Sequence, residues 1–294
     1  MSITFHLSAL DMTSPMLSSV VSPLAQRNLD AIRDVIGSPS LNSATADTLD
    51  QLAPDDVNKP RLIAWLREGA ARDERRFEIR SALRAIAHAT QPRSYLEIGT
   101  RRGWSLAQVL AESPEVLAYS FDWWTQNYGG VDNPGPGFVR DEMRRVAPNH
   151  RGALHFLSGN SHDTLPVFFQ DVPLGAVELE EQMLLRTGEA APRLFDLITV
   201  DGDHTALGTW WDLADVVPHM ALGGVLVFDD LLDSSDELLG DSPSSRYAPL
   251  RSHPDDLRPS LLWLWQHLKS VLDGWEFIES LDSIVPIGIA VRMR

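Results

Sequence analysis

Two short acidic stretches offer the most direct chemistry in the sequence. Asp201-Gly-Asp203-His204 closes the apolar run Phe195–Val200, and Asp229-Asp230 closes Gly223-Gly-Val-Leu-Val-Phe228. If the two runs are neighbouring parallel strands, both sets of carboxylates stand at their carboxyl ends, where ligands bind in open α/β sheets. Carboxylates gathered there repel one another unless one is protonated or a cation bridges them. Asp201, Asp229 and Asp230 form an oxygen-donor set suited to a hard divalent ion, Mg²⁺ or Ca²⁺. Taken singly, each reads equally as a solvated turn residue. His204 adds an imidazole whose ordinary pKa suits proton transfer near neutral pH, whereas Asp203 needs an upward shift or metal assistance for the same task.

A second constellation lies upstream. Ser94-Tyr-Leu-Glu97-Ile-Gly99-Thr100-Arg-Arg-Gly103-Trp-Ser105 reads as a strand, a glycine turn and the start of a helix. Gly99 permits a sharp turn at the strand end, and Gly103 is expected to let backbone approach a ligand without a Cβ between them. Amides at the helix start suit an anionic group. The spacing is G-x-x-x-G, not the G-x-G-x-x-G of dinucleotide enzymes, which disfavours a nicotinamide dehydrogenase. Asp122 closes the next apolar run, where a carboxylate can accept two hydrogen bonds from a vicinal diol. The third run leads into Gly159-Asn160-Ser161. Plain connector and turn roles are the alternative for each of these positions.

In the acidic-x-Gly-x-x-x-Gly pattern of Glu97, Gly99 and Gly103 the sequence resembles the class I S-adenosylmethionine-dependent methyltransferases. The resemblance implies that Glu97, Gly99, Thr100, Gly103 and Ser105 surround the methionine part of the cofactor and that Asp122 takes the ribose hydroxyls. It also implies that Trp123, Asn160, Ser161 and Asp201 complete the cofactor site, with Asn160 standing where an Asp is frequent. Asp-Gly-Asp-His on the fourth strand and Gly-Gly-(apolar)-Asp-Asp on the fifth narrow the likeness to the macrocin O-methyltransferase and cephalosporin hydroxylase-like group. That likeness covers residues 75–230 and implies that Asp201, Asp229 and Asp230 bind Mg²⁺ or another hard divalent cation, with Asp203 or His204 as general base.

The activity implied is metal-dependent O-methylation of a sugar-containing or otherwise polyhydroxylated small molecule, in secondary metabolite biosynthesis. Two alternatives stand beside it. A hydroxylase on the same scaffold is disfavoured, because iron oxygenases typically use two His and one carboxylate and one His lies near the carboxylates here. A non-catalytic cofactor-binding protein is the other, since fold does not imply function.

The elements that must position these residues follow from the hydropathy pattern. Continuous apolar runs at Ser94–Ile98, Val116–Phe121, Ala153–Leu157, Phe195–Val200 and Gly224–Phe228 suit strands buried on both faces. Helical patterns at Trp104–Glu112, Phe138–Val146, Asp163–Phe169 and Leu207–Val217 supply the crossovers. A helix over Asp255–Val271 and two closing strands, Trp275–Ser280 and Ile287–Arg292, complete the set, the last pair antiparallel because their connection is short. The expected fold is α/β, a Rossmann-like doubly wound sheet of about seven strands, mostly parallel with an antiparallel last strand, plus an N-terminal helical extension.

Residues 1–72 are expected to form that extension, in short, weakly defined helices behind a loose or docking arm. Residues 73–294 form the methyltransferase domain, with amphipathic helices over Arg61–Glu68 and Asp73–His88 packing against the sheet. Insertions fall near 123–150, 171–193 and 231–257. The first holds Trp123, Trp124, Tyr128 and a glycine–proline run through Gly137, the composition of an acceptor-binding lid. One of the two Trp rings is expected on the cofactor and the other in the core.

Composition sets the outer limits. The chain has 294 residues, 41 acidic against 25 basic, and a formal charge of −16, which argues against a nucleic-acid partner. Hydrophobic residues make up 44%, enough for a real core. The absence of Cys removes disulfides, thiolate metal sites and Cys nucleophiles, so any metal sits on oxygen or imidazole. No positively charged, apolar leader opens the sequence, and the longest charge-free apolar stretch, Val216–Phe228, is shorter than the roughly 20 residues of a membrane helix. The expectation is a cytoplasmic enzyme with a small-molecule partner, no membrane association, and a possible homo-oligomer in which the N-terminal arm exchanges.

Overall fold

The computed structural model describes residues 20–53, 58–124, 133–169, 192–232 and 260–294. The expected docking arm up to residue 19, the Tyr128-Gly-Gly part of the proposed lid, residues 171–191 of the second insertion and residues 233–257 of the third lie outside them.

Seven strands form one sheet: β1 (Ser94–Ile98), β2 (Leu117–Asp122), β3 (Leu154–Ser158), β4 (Phe195–Val200), β5 (Met220–Phe228), β6 (Trp275–Ser280) and β7 (Ile287–Arg292). Their order is β3-β2-β1-β4-β5-β7-β6. The first five run parallel, and β7 is antiparallel to both β5 and β6. The sheet is Rossmann-like with an antiparallel C-terminal strand, as the hydropathy pattern leads one to expect. The order reverses at β1, which pairs with β2 on one side and β4 on the other, creating the switch point where such sheets bind ligands.

Register fixes what meets at that edge. Ile98 pairs with both Phe121 and Val200, and Val200 pairs with Phe228. The next residues, Gly99, Asp122, Asp201 and Asp229, therefore leave the sheet side by side.

Alternation along the strands divides the core. Tyr95, Leu197, Val225 and Ile289 face a layer built from α1 (Pro23–Val35), α2 (Pro39–Gln51), α3 (Asn58–Ala71), α4 (Ile79–Thr90), α5 (Trp104–Glu112) and α6 (Pro136–Val146). Leu96, Ile198, Leu226 and Ala290 face α7 (Ser161–Phe169), α8 (Ala206–Val216) and α9 (Leu261–Val271). Both faces are covered, which is why the parallel strands read as unbroken apolar runs.

The N-terminal helices are longer and better formed than expected. Ser22 and Ser38 each precede a proline that starts a 13-residue helix, and Ser22 Oγ accepts from the Ala25 amide. Proline is preorganised for the first helical turn, so a Ser-Pro pair that reads as a loop signal is here a helix start. Ala25, Leu29 and Ile32 bury against the same core as β5 and β7. α4 starts at Ile79 and not at Asp73, because Glu78 and Ser81 cap each other's backbone amides in a capping box. β5 begins at Met220, ahead of the expected Gly224. Gly223 carries the strand onward with φ +80°, leaving room for Leu24 and Ala25 of α1, whose atoms lie 3.3 Å from where a Cβ would stand. Among the described residues no helix is long and apolar enough to cross a membrane.

Candidate active site

The glycine turn after β1 is locked to its neighbours through backbone. The Gly99 amide donates to the Phe121 carbonyl at 2.9 Å, and the Asp201 amide donates to the Ile98 carbonyl at 3.0 Å. Gly99 has φ +91°, and a Cβ there would stand 1.9 Å from the Asp201 carbonyl oxygen. Only glycine fits that crossing. Gly103, with φ +76°, forms the N-cap of α5. Its missing Cβ makes room for Val139 and Met143 of α6, 2.7 and 3.0 Å away, so helix packing requires glycine here where ligand approach was the expected reason. Thr100 and Ser105 are buried on either side.

Asp122 ties this turn to the next. Its Oδ2 accepts from the Arg101 amide at 2.6 Å, and its Oδ1 accepts from the Trp124 amide at 2.6 Å and from Asn133 Nδ2 at 3.3 Å. Burial raises its pKa, and the amides act against the rise. A carboxylate has about four acceptor positions, so capacity for a ligand donor remains. The two tryptophans that follow diverge. Trp123 is 59% exposed, while Trp124 packs edge-on to Phe156 at 6.1 Å with its Nε1 buried and unpartnered among the described residues.

Glu97 lies beneath the turn, fully buried. The Tyr95 hydroxyl donates to its Oε1 at 3.0 Å and the Ser120 hydroxyl lies 3.4 Å from its Oε2. Tyr95 also meets the Thr199 hydroxyl at 3.1 Å. Burial pushes the carboxyl up to about 8, against the hydroxyl bonds and with the added repulsion of Asp201 and Asp122.

At the ends of β4 and β5, Asp201, His204 and Asp230 converge. His204 Nε2 is 3.3 Å from Asp230 Oδ2 and 3.6 Å from Asp201 Oδ1, and one ligating atom from each residue lies within 4.8 Å of the others. Two carboxylates and an imidazole at that separation fit one divalent ion. Burial raises the Asp230 pKa, and His204 opposes the rise.

Asp229, expected as a ligand, falls outside this group. It is 3% exposed, with Oδ1 unpartnered among the described residues. Burial holds its pKa well above the ordinary value, Asp201 and Asp230 push the same way, and Arg80 opposes them.

Arg80 is a site residue that the sequence reading missed. Its guanidinium lies 3.0 Å from Glu78 Oε2 and 5.8 Å over the Trp104 ring. Burial works against its charge, but Glu78, Asp229 and Asp201 outweigh that cost and keep it protonated. No motif marks it; the only signal is a charged residue inside an otherwise apolar helix, between Ile79 and Leu83.

The remaining expected residues divide. Asp203 turns toward the start of α8, where its Oδ1 accepts from the Thr205 amide at 2.8 Å. Asn160 Oδ1 accepts from the His162 amide at 3.2 Å, and its carbonyl accepts from Thr164, which starts α7. Ser161 bonds to Asp212, whose carboxyl burial pushes up to about 7. Of the two candidate bases, His204 joins the acidic group and Asp203 does not.

Residues 96–231 match a family model described as a methyltransferase domain. No curated protein matches the chain. Among solved structures, the O-methyltransferase TomG of Streptomyces achromogenes, involved in tomaymycin synthesis and crystallised with S-adenosylmethionine, is 15% identical, with a TM-score of 0.46. The match covers 93% of this chain and 100% of that one. An O-methyltransferase of Bacillus cereus in complex with S-adenosylhomocysteine is 12% identical over 94% of this chain and 93% of that one, with a TM-score of 0.43. These overall likenesses are weak. The fold assignment rests on strand order and direction, and that order together with the domain match supports an S-adenosylmethionine-dependent methyltransferase.

Proposed function

We propose that this chain transfers a methyl group from S-adenosylmethionine to a hydroxyl of a polyhydroxylated small molecule, with His204 as general base and a divalent ion held by Asp201, His204 and Asp230. One observation carries the reading: an imidazole in contact with carboxylates from two strand ends, at the same sheet edge as the glycine turn.

S-adenosylmethionine supplies an electrophilic methyl on a sulfonium. The turn from Gly99 to Gly103 and the carboxylate of Asp122 are suited to orienting such a molecule, the first by its exposed amides and the second by its unused lone pairs. Its positive charge is favoured at an edge where Glu97, Asp122, Asp201, Asp229 and Asp230 gather. His204 accepts the proton of the acceptor hydroxyl as the oxygen–methyl bond forms, and the neighbouring Asp201 and Asp230 stabilise the resulting imidazolium. A metal at the same carboxylates would lower the pKa of that hydroxyl and fix its position. Arg80 offsets part of the remaining negative charge. The acceptor is read as a small molecule carrying neighbouring hydroxyls, since two such oxygens chelate one ion.

Titration calorimetry with S-adenosylmethionine, followed by a methyl-transfer assay against a panel of sugars, polyols and catechols with and without Mg²⁺ or Mn²⁺, tests the proposal. Methylation that falls on chelation supports it. Binding without transfer to any of them favours the non-catalytic alternative, and no binding ends it.

A further inference from the structure

A second His–carboxylate cluster lies on the α7–α8 side of the sheet, outside the group just described. His162, at the start of α7, places Nε2 3.1 Å from the Gly208 carbonyl, 3.5 Å from Asp212 Oδ1 and 4.0 Å from Asp203 Oδ2. A carbonyl only accepts, so this nitrogen carries a proton, and it directs that proton at the first turn of α8. Trp211 closes the ring's other side, edge-on at 5.2 Å. Asp212 is fully buried, and the His162 side chain is 16% exposed.

The chain has been shaped around this contact. A Cβ at Gly208 would stand 2.1 Å from Asp203 Oδ2, so glycine is what lets Asp203 lie across the helix start. The Asp203 carbonyl accepts from the Thr209 hydroxyl, and Thr205 Oγ1 accepts from the Gly208 amide at 3.1 Å, which fixes the same turn from both ends. The turn is contiguous with Asp201 and His204. On the other side, His162 follows directly on Asn160 and Ser161, at the end of β3.

We infer that His162 is a positioning residue: it straps the third-strand loop to the fourth-strand loop, acting through Gly208, Asp203 and Asp212, and so holds the cofactor-facing edge of the sheet in register with the base His204. The inference rests on the proposed cofactor site, and it assigns Asp203 to the strap and not to proton transfer. Two loops that follow different strands have no covalent reason to keep a fixed separation, and the imidazole provides one. Gln at 162 keeps a donor that reaches the Gly208 carbonyl, whereas Phe keeps the ring contact with Trp211 and loses the donor.

Calorimetric affinity for S-adenosylmethionine, measured beside thermal melting, tests the strap. His162→Phe is expected to weaken binding by about tenfold or more, the usual scale for groups that orient a site's ligands, and His162→Gln to restore most of it. Gly208→Ala is the second variant. Ala favours the helix by about 1 kcal/mol over Gly, so its expected loss of affinity comes from displacing Asp203 and not from weakening α8. Wild-type affinity in His162→Phe or in Gly208→Ala overturns the inference, as does equal loss in the Phe and Gln variants, which marks a purely structural histidine. Wild-type protein that fails to bind S-adenosylmethionine overturns the proposed function itself and the strap with it.

Discussion

His204 Nε2 stands 3.3 Å from Asp230 Oδ2, so a residue four positions past the end of β4 meets one that follows β5. That contact makes His204 the group placed to exchange a proton at the sheet edge. His204→Asn should therefore retain affinity for S-adenosylmethionine and lose methyl transfer by about 10²–10⁴-fold, the usual worth of a positioned general base. Parallel calorimetry and single-turnover transfer measure the two, and unchanged transfer contradicts the assignment.

The metal assignment separates neighbouring carboxylates. Asp230→Asn and Asp201→Asn should each weaken Mn²⁺ binding by more than about tenfold. Asp229→Asn should leave it within a few-fold of wild type, because Asp229 lies outside the Asp201–His204–Asp230 group. Mn²⁺ electron paramagnetic resonance titrations distinguish the three variants. Loss of binding in Asp229→Asn alone would restore the carboxylate set read from the sequence.

Glu97 gives the protein an inverted pH response. Its ordinary value is 4.5 and burial raises it to about 8, so the folded state binds this proton more tightly than the unfolded chain does. The stability it contributes is complete below the lower value and is lost as pH rises toward the upper one, at up to about 1.4 kcal/mol per pH unit. Asp212 adds the same sign over a narrower range, up to about 7. Urea unfolding from pH 5 to 9 should show stability falling with pH, and Glu97→Gln should flatten part of that slope. Equal slopes in the two proteins would mean that Glu97 is ionised throughout.

Gly99→Ala tests the crossing of the first and fourth strand turns. Its φ of +91° and the 1.9 Å approach to the Asp201 carbonyl leave no room for a methyl group without backbone movement. A loss of at least about 1–3 kcal/mol of stability is expected from the backbone conformation alone, read as a lower melting temperature. A variant as stable as wild type would mean that the turn relaxes freely.

Much of the architecture was readable because parallel strands covered on both faces must be apolar throughout. Ser94–Ile98, Phe195–Val200, Trp275–Ser280 and Ile287–Arg292 carry the same bounds in the structure as in the hydropathy pattern. Met220 to Gly224 were missed because paired glycines read as a strand end, while Gly223 in fact continues the strand over α1. The site was legible in part. Position at a strand end identifies Asp201 and Asp230, but side-chain direction depends on local turns: Asp230 has φ +55°, and Asp203 bends away because Gly208 admits it. Arg80 and His162 were invisible for a different reason. Each reaches the edge from a helix, and nothing in sequence spacing reports which helix lies against which loop.

The central claim is that the glycine turn, Asp122 and the acidic edge bind S-adenosylmethionine. Isothermal titration of the full chain with S-adenosylmethionine, repeated with Asp122→Ala, tests it most directly. Saturable one-to-one binding that weakens by about tenfold or more in the variant is the predicted result, in keeping with loss of charged hydrogen bonds worth about 1.5–3 kcal/mol. No heat of binding to the wild type, or equal affinity in both proteins, would contradict it.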